Sequence, residues 1–233
     1  MLHNGKSLKN TVSVSATSPL YWGLWSLARV VAKLLFSIRF TGQENIPQKG
    51  GLIIAANHAS FLDIPFLGSG VKRRLFYIGR HNLFPIPIVN PLLQHLGWIP
   101  MLEDRGDRNA FRRAEQQLLH GNAVVIFPEG ARTKNGQLGE GRPGVARLVA
   151  RTGCPVLPVH IAGTFEALPR GAFWPRFHPV TIAYGRPINF TPDQSRYTRK
   201  QFYRHVSQTV MRNISILSAQ KDITSCQVSE LDV

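Results

Sequence analysis

The 233 residues suffice for one domain with a sizeable core, and 43% hydrophobic residues with 20 Gly and 16 Pro make an ordinary globular composition that excludes a low-complexity chain. The 28 Lys and Arg exceed the 13 Asp and Glu by 15, so the molecule attracts polyanions or anionic surfaces, with nucleic acid, anionic lipid and phosphorylated small molecules all open. Cys154 and Cys226 stand in neither a CxxC pair nor a zinc-like His/Cys spacing, which argues against a disulfide framework and a metal knuckle.

Residues 19 to 40, PLYWGLWSLARVVAKLLFSIRF, are the most apolar stretch. Arg29 and Lys33 interrupt it before it reaches the roughly 20 clean apolar residues of a spanning helix. Basic residues follow it without a small-residue cleavage pattern, against a signal peptide. Tyr21, Trp22, Trp25, Leu24, Leu27, Val31, Leu34 and Leu35 recur at near-helical spacing. Two outcomes fit equally: a helix lying at a membrane interface, or one packed on the domain's own core.

Farther on, LIIAA at 52 to 56 is a continuous apolar run of buried-strand type, followed directly by NHASFLD. A brief helix is expected from Ile64 to Leu67, a strand at LFYIG 75 to 79, a short helix over 88 to 96 and a strand at WIPML 98 to 102. Asp107 suits the cap of a helix from Arg108 to Leu119, whose Phe111, Ala114, Leu118 and Leu119 share a face. AVVIF at 123 to 127 is the clearest buried strand, and Val145 to Arg151 reads as a helix closed by Gly153. VLPVHI at 156 to 161 and VTIAYG at 180 to 185 are the last strands, before a helix from Thr198 to Leu217 and a polar tail from Ser218.

This alternation predicts an α/β fold: a mixed, largely parallel central sheet flanked by helices, with sites at strand ends. Three segments follow: residues 1–38 as an N-terminal tail and interfacial helix, 39–217 as the main domain and 218–233 as a polar tail.

His58 and Asp63 are five residues apart, about 140° on a straight helix, so one plain helix does not bring them together. With His58 in the loop after the strand and Asp63 in the next helix's first turn, the carboxylate can reach the imidazole. It would hold one tautomer and leave the other ring nitrogen to take a proton from an attacking hydroxyl. A structural His/Asp pair at a helix start is an equally ordinary outcome. Ser60 lies in no GxSxG elbow and Cys154 has no base beside it in sequence, which argues against a covalent acyl-enzyme.

FPEGART at 127 to 133 follows a buried strand and can offer Arg132 and backbone N–H groups to a phosphate, with Glu129 holding the loop or orienting Arg132. In GWIPMLEDR, Arg105 is a second candidate cation, although Glu103 and Asp104 could simply pair with it.

With NHASFLD, GWIPMLEDR, FPEGART and VLPVHIAGT in this order, the chain resembles the lysophospholipid acyltransferases of the 1-acylglycerol-3-phosphate type over about residues 36 to 190. The resemblance implies acyl transfer from acyl-CoA or acyl-carrier protein to the free hydroxyl of a lysophospholipid, without a metal or prosthetic group. It assigns His58 as base and Asp63 as its partner. Arg105, Glu129, Gly130 and Arg132 would bind the acceptor's phosphate, and Pro158 would shape the pocket. The family's usual threonine in EGTR is Ala131 here, and RPGVA at 142 to 146 lacks the aromatic that often precedes GVA. The implied setting is the cytoplasmic face of a membrane, with the lipid acceptor and an anionic surface as partners. The rivals are hydrolysis by the same base and a non-enzymatic basic membrane- or nucleic-acid-binding protein. No helix-turn-helix, zinc finger or aromatic RNA-binding signature supports nucleic acid.

Overall fold

The run LIIAA forms β2 (Leu52–Ala56), buried at every position, because helices cover both faces of the sheet at its centre. The computed structural model describes residues 19–81, 89–102, 107–190, 195 and 197–229, with Val89 and residues 220–229 as backbone alone. Around β2 stand β1 (Arg39–Thr41), β3 (Leu75–Arg80), β4 (Trp98–Met101), β5 (Ala123–Ile126), β6 (Val156–Ala162) and β7 (Thr181–Tyr184). The helices are α1 (Pro19–Phe36), α2 (Asp63–Ser69), α3 (Val89–His95), α4 (Arg108–Leu119), α5 (Gly144–Thr152), α6 (Thr164–Ala167) and α7 (Arg199–Ser229).

The strands form one sheet in the order β1-β7-β6-β2-β5-β3-β4. β2 to β6 run parallel to one another, while β7 is antiparallel to β6 and parallel to β1, so the sheet is mixed and largely parallel as expected. Strand alternation divides the core. Leu52, Ile54 and Ala56 face Phe36, Phe66 and Leu67 of α1 and α2, whereas Ile53 and Ala55 face Phe111, Leu148 and Val206 of α4, α5 and α7.

One side of α1 is fastened to the domain. Trp25 Nε1 donates to the carbonyls of Gly68 and Val71 at 2.9 and 3.0 Å, Arg29 donates to Ser69 O at 2.8 Å, and Tyr21 Oη accepts the Leu75 N–H at 3.0 Å. Ala32 and Phe36 enter the core. The opposite side carries exposed Leu20, Leu24, Leu27, Val30 and Leu34 at helical spacing. Packing on the domain's own core therefore describes one face of α1, and an uncovered apolar stripe describes the other. No described helix is long and apolar enough to cross a membrane.

Three features depart from the expected elements. Ser37, at φ 42°, ends α1 and turns the chain into β1, a three-residue edge strand too short to show periodicity. The four-residue α6 is likewise below the reach of a 3.6-residue pattern. Helix α7 continues to Ser229 instead of ending near Leu217, since no Gly or Pro interrupts 199 to 229; the expected polar tail from Ser218 is helical over most of its length.

Candidate active site

The carboxyl ends of the parallel strands meet at one edge of the sheet, and the loops that follow them build the site. His58 leaves β2 and is positioned from four directions. Asn57 acts as a spacer to β6: its amide donates to Ile161 O at 2.8 Å and its carbonyl accepts the Ile161 N–H at 2.7 Å. The His58 N–H donates to Glu129 Oε1 at 2.8 Å, and the His58 carbonyl accepts the Thr133 N–H at 2.8 Å. Its ring stacks on Phe127 with centroids 4.0 Å apart. The His58 backbone and the PEGART loop are thus joined by one backbone bond and one through the Glu129 side chain.

The chain then folds back as the spacing required. His58 Nδ1 lies 2.8 Å from Asp63 Oδ2, at the start of α2. Asp63 is fully buried, and Oδ2 also accepts the N–H groups of Ala59 and Ser60 at 2.7 and 2.8 Å. Three donors on one carboxylate oxygen offset the desolvation of a buried charge. An ionised Asp63 can only accept, so Nδ1 carries the proton and Nε2 keeps its lone pair. The His58 side chain is 14% exposed, and it lines a cavity of about 780 Å³. Ligand pockets run roughly 300–1,000 Å³, so a lipid headgroup and part of a chain fit this space.

The cavity has two chemistries. Arg80, Arg132, Arg142, Arg147 and Arg170 line it, and none of the described lining residues is acidic. Ile78, Trp98, Met101, Phe111 and Ile126 supply apolar wall. Gly79 is required here, because a Cβ on it would lie 2.2 Å from the Trp98 ring. The Arg132 guanidinium sits 3.7 Å above the Phe61 ring centroid. Burial and the neighbouring Arg170 and Arg80 charges pull its pKa below the ordinary arginine value, against the attraction of Asp63. It stays cationic, and the mutual repulsion is relieved by an anion among these side chains.

The sequence candidates fare differently. His58, Asp63, Gly130 and Arg132 come together as expected: Asp63 sits behind the imidazole, while the other three line the cavity. Gly130 adopts φ +73°, the left-handed conformation that favours glycine, and a Cβ there would meet the side chain of Arg142 at 2.8 Å. Glu129 instead turns its carboxylate to backbone, with Oε2 accepting the Gly139 N–H at 2.8 Å. This is the loop-holding role. Pro158 is buried in β6 against Gly185 and is not among the residues lining the cavity. Arg105 lies outside the described residues. Ala131 lines the cavity without a hydroxyl.

The sequence reading did not single out Arg80, Arg147 or Arg170. Arg80 was findable as the last residue of a parallel strand, whereas Arg170 follows the unpredicted α6 and carried no local signal. No group of three or more His, Cys, Asp or Glu able to hold a metal occurs among the described residues.

The Acyltransferase family model matches residues 37–162, more than half of the chain. The chain belongs to the acyltransferase family. Within it, the chain is 32% identical over 140 residues to the chloroplastic 1-acyl-sn-glycerol-3-phosphate acyltransferase of Arabidopsis thaliana, covering 59% of this chain and 39% of that protein. It is 30% identical over 169 residues to the lyso-ornithine lipid O-acyltransferase of Pseudomonas aeruginosa, covering 70% and 62%. The chain therefore spans less than two thirds of either relative. The crystal structure of the 1-acyl-sn-glycerophosphate acyltransferase of Thermotoga maritima superposes with a TM-score of 0.70 at 26% identity, covering 86% of this chain and 80% of that one.

Proposed function

We propose that the protein is an O-acyltransferase that moves a fatty acyl group from acyl-CoA or acyl-carrier protein to the free hydroxyl of 1-acyl-glycerol-3-phosphate, giving phosphatidic acid. The observation that carries this reading is the His58–Asp63 pair opening onto a cavity that is arginine-rich on one part of its wall and apolar on another. His58 Nε2 takes the acceptor hydroxyl proton as that oxygen attacks the thioester carbonyl, and the resulting imidazolium returns a proton to the departing thiolate. Asp63 stabilises the imidazolium, as does the face of Phe127. Arg132 and its neighbours hold the phosphate, with Arg105 as a further ligand from the LEDR segment.

The outer face of α1 lies in the headgroup layer at the cytoplasmic face of a membrane, in a peripheral or monotopic arrangement, drawn there by its apolar stripe and the net charge of +15. A second acceptor is favoured by one observation, the likeness to a lyso-ornithine lipid O-acyltransferase. Purified protein incubated with labelled acyl-CoA or acyl-carrier protein and a panel of lysolipids tests both. The proposal expects labelled phosphatidic acid, absent with H58A. Labelled free acid alone would assign hydrolysis, and preference for the ornithine acceptor would move the substrate assignment.

A further inference from the structure

The loop between α6 and β7 carries an uncovered aromatic group that acyl transfer does not use. Phe173 is 93% exposed, Trp174 85% and Phe177 73%; the first two are the most exposed large hydrophobic residues among those described. Single exposed apolar side chains are ordinary on water-soluble surfaces, whereas grouped ones rimmed by polar residues mark protein or membrane interaction sites.

The aromatics stand on a fixed base. The Ala172 N–H donates to Pro169 O at 3.1 Å and the Arg176 N–H to Ala167 O at 2.7 Å, closing the loop beneath its tip. Phe177 meets Phe36, the last residue of α1, with ring centroids 6.1 Å apart. The Val180 N–H donates to Phe36 O at 3.0 Å. The loop root is thus joined to the end of the helix that bears the exposed leucine stripe.

Charge identifies the occupant. Arg170 and Arg176 flank the aromatic tip, and no Asp or Glu occurs between Glu166 and Asp193. Trp and Phe between cations have the composition of groups that settle at the boundary between acyl chains and anionic headgroups. Arg170 also lines the cavity that contains His58, so a bilayer seated on Phe173 and Trp174 has its headgroups at the cavity's rim.

We infer that Phe173, Trp174 and Phe177 form a second membrane-docking element, inserting beside α1 into an anionic lipid surface and setting the cavity mouth at headgroup depth. The inference rests on the interfacial reading of α1. It does not need turnover, so a chain inert in acyl transfer but bound to vesicles through this loop would sink the proposed activity alone.

The test compares wild type, F173S/W174S and H58A by flotation with vesicles of phosphatidylglycerol and phosphatidylcholine, and with phosphatidylcholine alone. Wild type and H58A are expected to float with the anionic vesicles and less with the zwitterionic ones. F173S/W174S should lose on the order of tenfold to a hundredfold in partitioning. Its melting temperature should match wild type, which excludes misfolding without reference to turnover, and its acyl transfer to a short-chain lysophosphatidate held below its micellar concentration should match as well. Brominated lipid should quench fluorescence in wild type that W174F lacks. Equal flotation of the double variant, or equal quenching of wild type and W174F, overturns the loop while leaving α1 standing. A wild-type dimer dispersed by F173S/W174S without vesicle binding would assign the patch to a second copy of the chain and overturn the lipid assignment.

Discussion

Glu129 Oε1 accepts the His58 backbone N–H at 2.8 Å while Oε2 accepts the Gly139 N–H at the same distance, so one carboxylate ties the proposed base to the loop KNGQLGEGRPG at 134 to 144. A glutamine has one acceptor and must turn an NH2 toward the other donor. E129Q should lower kcat on the order of tenfold to a hundredfold with KM for the acceptor little changed, because the base is displaced while the arginines remain. Steady-state kinetics distinguish this from direct phosphate binding, where KM would rise and kcat would hold.

Asp63→Asn separates charge from tautomer. The Ala59 and Ser60 N–H groups fix an acceptor at the Oδ2 position, so the amide oxygen of asparagine should take that place and still accept His58 Nδ1–H. The negative charge is then lost, and the amide NH2 takes the buried Oδ1 position, which has no hydrogen-bond partner. Turnover should fall roughly 10²-fold, short of the roughly 10⁴-fold that accompanies a wrong tautomer in serine hydrolases. D63A should also lower stability, by about 1–3 kcal/mol for each buried N–H left without an acceptor. Thermal unfolding beside initial rates checks both.

Arg132 has two roles that a lysine cannot fill together. Its guanidinium packs on Phe61 and carries charge into the cavity. R132A should cost kcat/KM roughly 10- to 150-fold, the equivalent of a charge-assisted hydrogen bond of about 1.5–3 kcal/mol. R132K should recover only part, since an ammonium keeps the charge and loses the planar stack. Equal kcat/KM for wild type and R132A with lysophosphatidate would remove the residue from phosphate binding.

Asp107 caps α4 by accepting the N–H groups of Asn109 and Ala110 at 2.8 and 3.2 Å, and it also accepts the Leu102 N–H at 3.1 Å. Its slight desolvation raises the carboxyl pKa, but the three N–H donors and Arg113 outweigh this and hold it below the usual range. A depressed folded value means stability that is present above the unfolded pKa of about 4 and lost as pH falls through the folded one. D107A should cost about 1 kcal/mol at neutral pH. The gap in melting temperature from wild type should close as the pH drops below about 4.

The fold was legible where periodicity had length to act. Apolar runs gave β2, β5 and β6, and Asp107 and Gly153 marked helix ends by their own chemistry. β1 and α6 were not, because three or four residues hold no period and tertiary hydrogen bonds decide them. The His58–Asp63 contact could be foreseen because a five-residue gap admits a return turn. The role of Glu129 could not be fixed among holding the loop, orienting Arg132 and binding phosphate, since the choice depends on Gly139 reaching back ten residues. Arg80 stands at the end of β3, where strand-end sites are expected, whereas Arg170 joins the cavity from the loop after α6, which no local pattern encodes.

The same limit applied to α1, whose composition suited a core or a membrane equally. The two faces now separate those roles experimentally. Replacing Leu24, Leu27 and Leu34, which are 38%, 58% and 74% exposed, by serine removes apolar surface that already faces solvent. Stability should stay within about 0.5 kcal/mol per site of wild type. Partitioning to anionic vesicles should fall at least tenfold, each leucine transferred from water to the interface being worth about 1.5–3 kcal/mol when fully buried and less when partly so. Trp25→Ala should do the reverse. It strips the donor to Gly68 and Val71 from the fastened face, lowering the melting temperature, while the leucine stripe stays intact. Deleting residues 1 to 38 would confound the two, because Ala32 and Phe36 would leave the core with the stripe. A serine triple variant that binds vesicles as wild type does would confine α1 to a packing role.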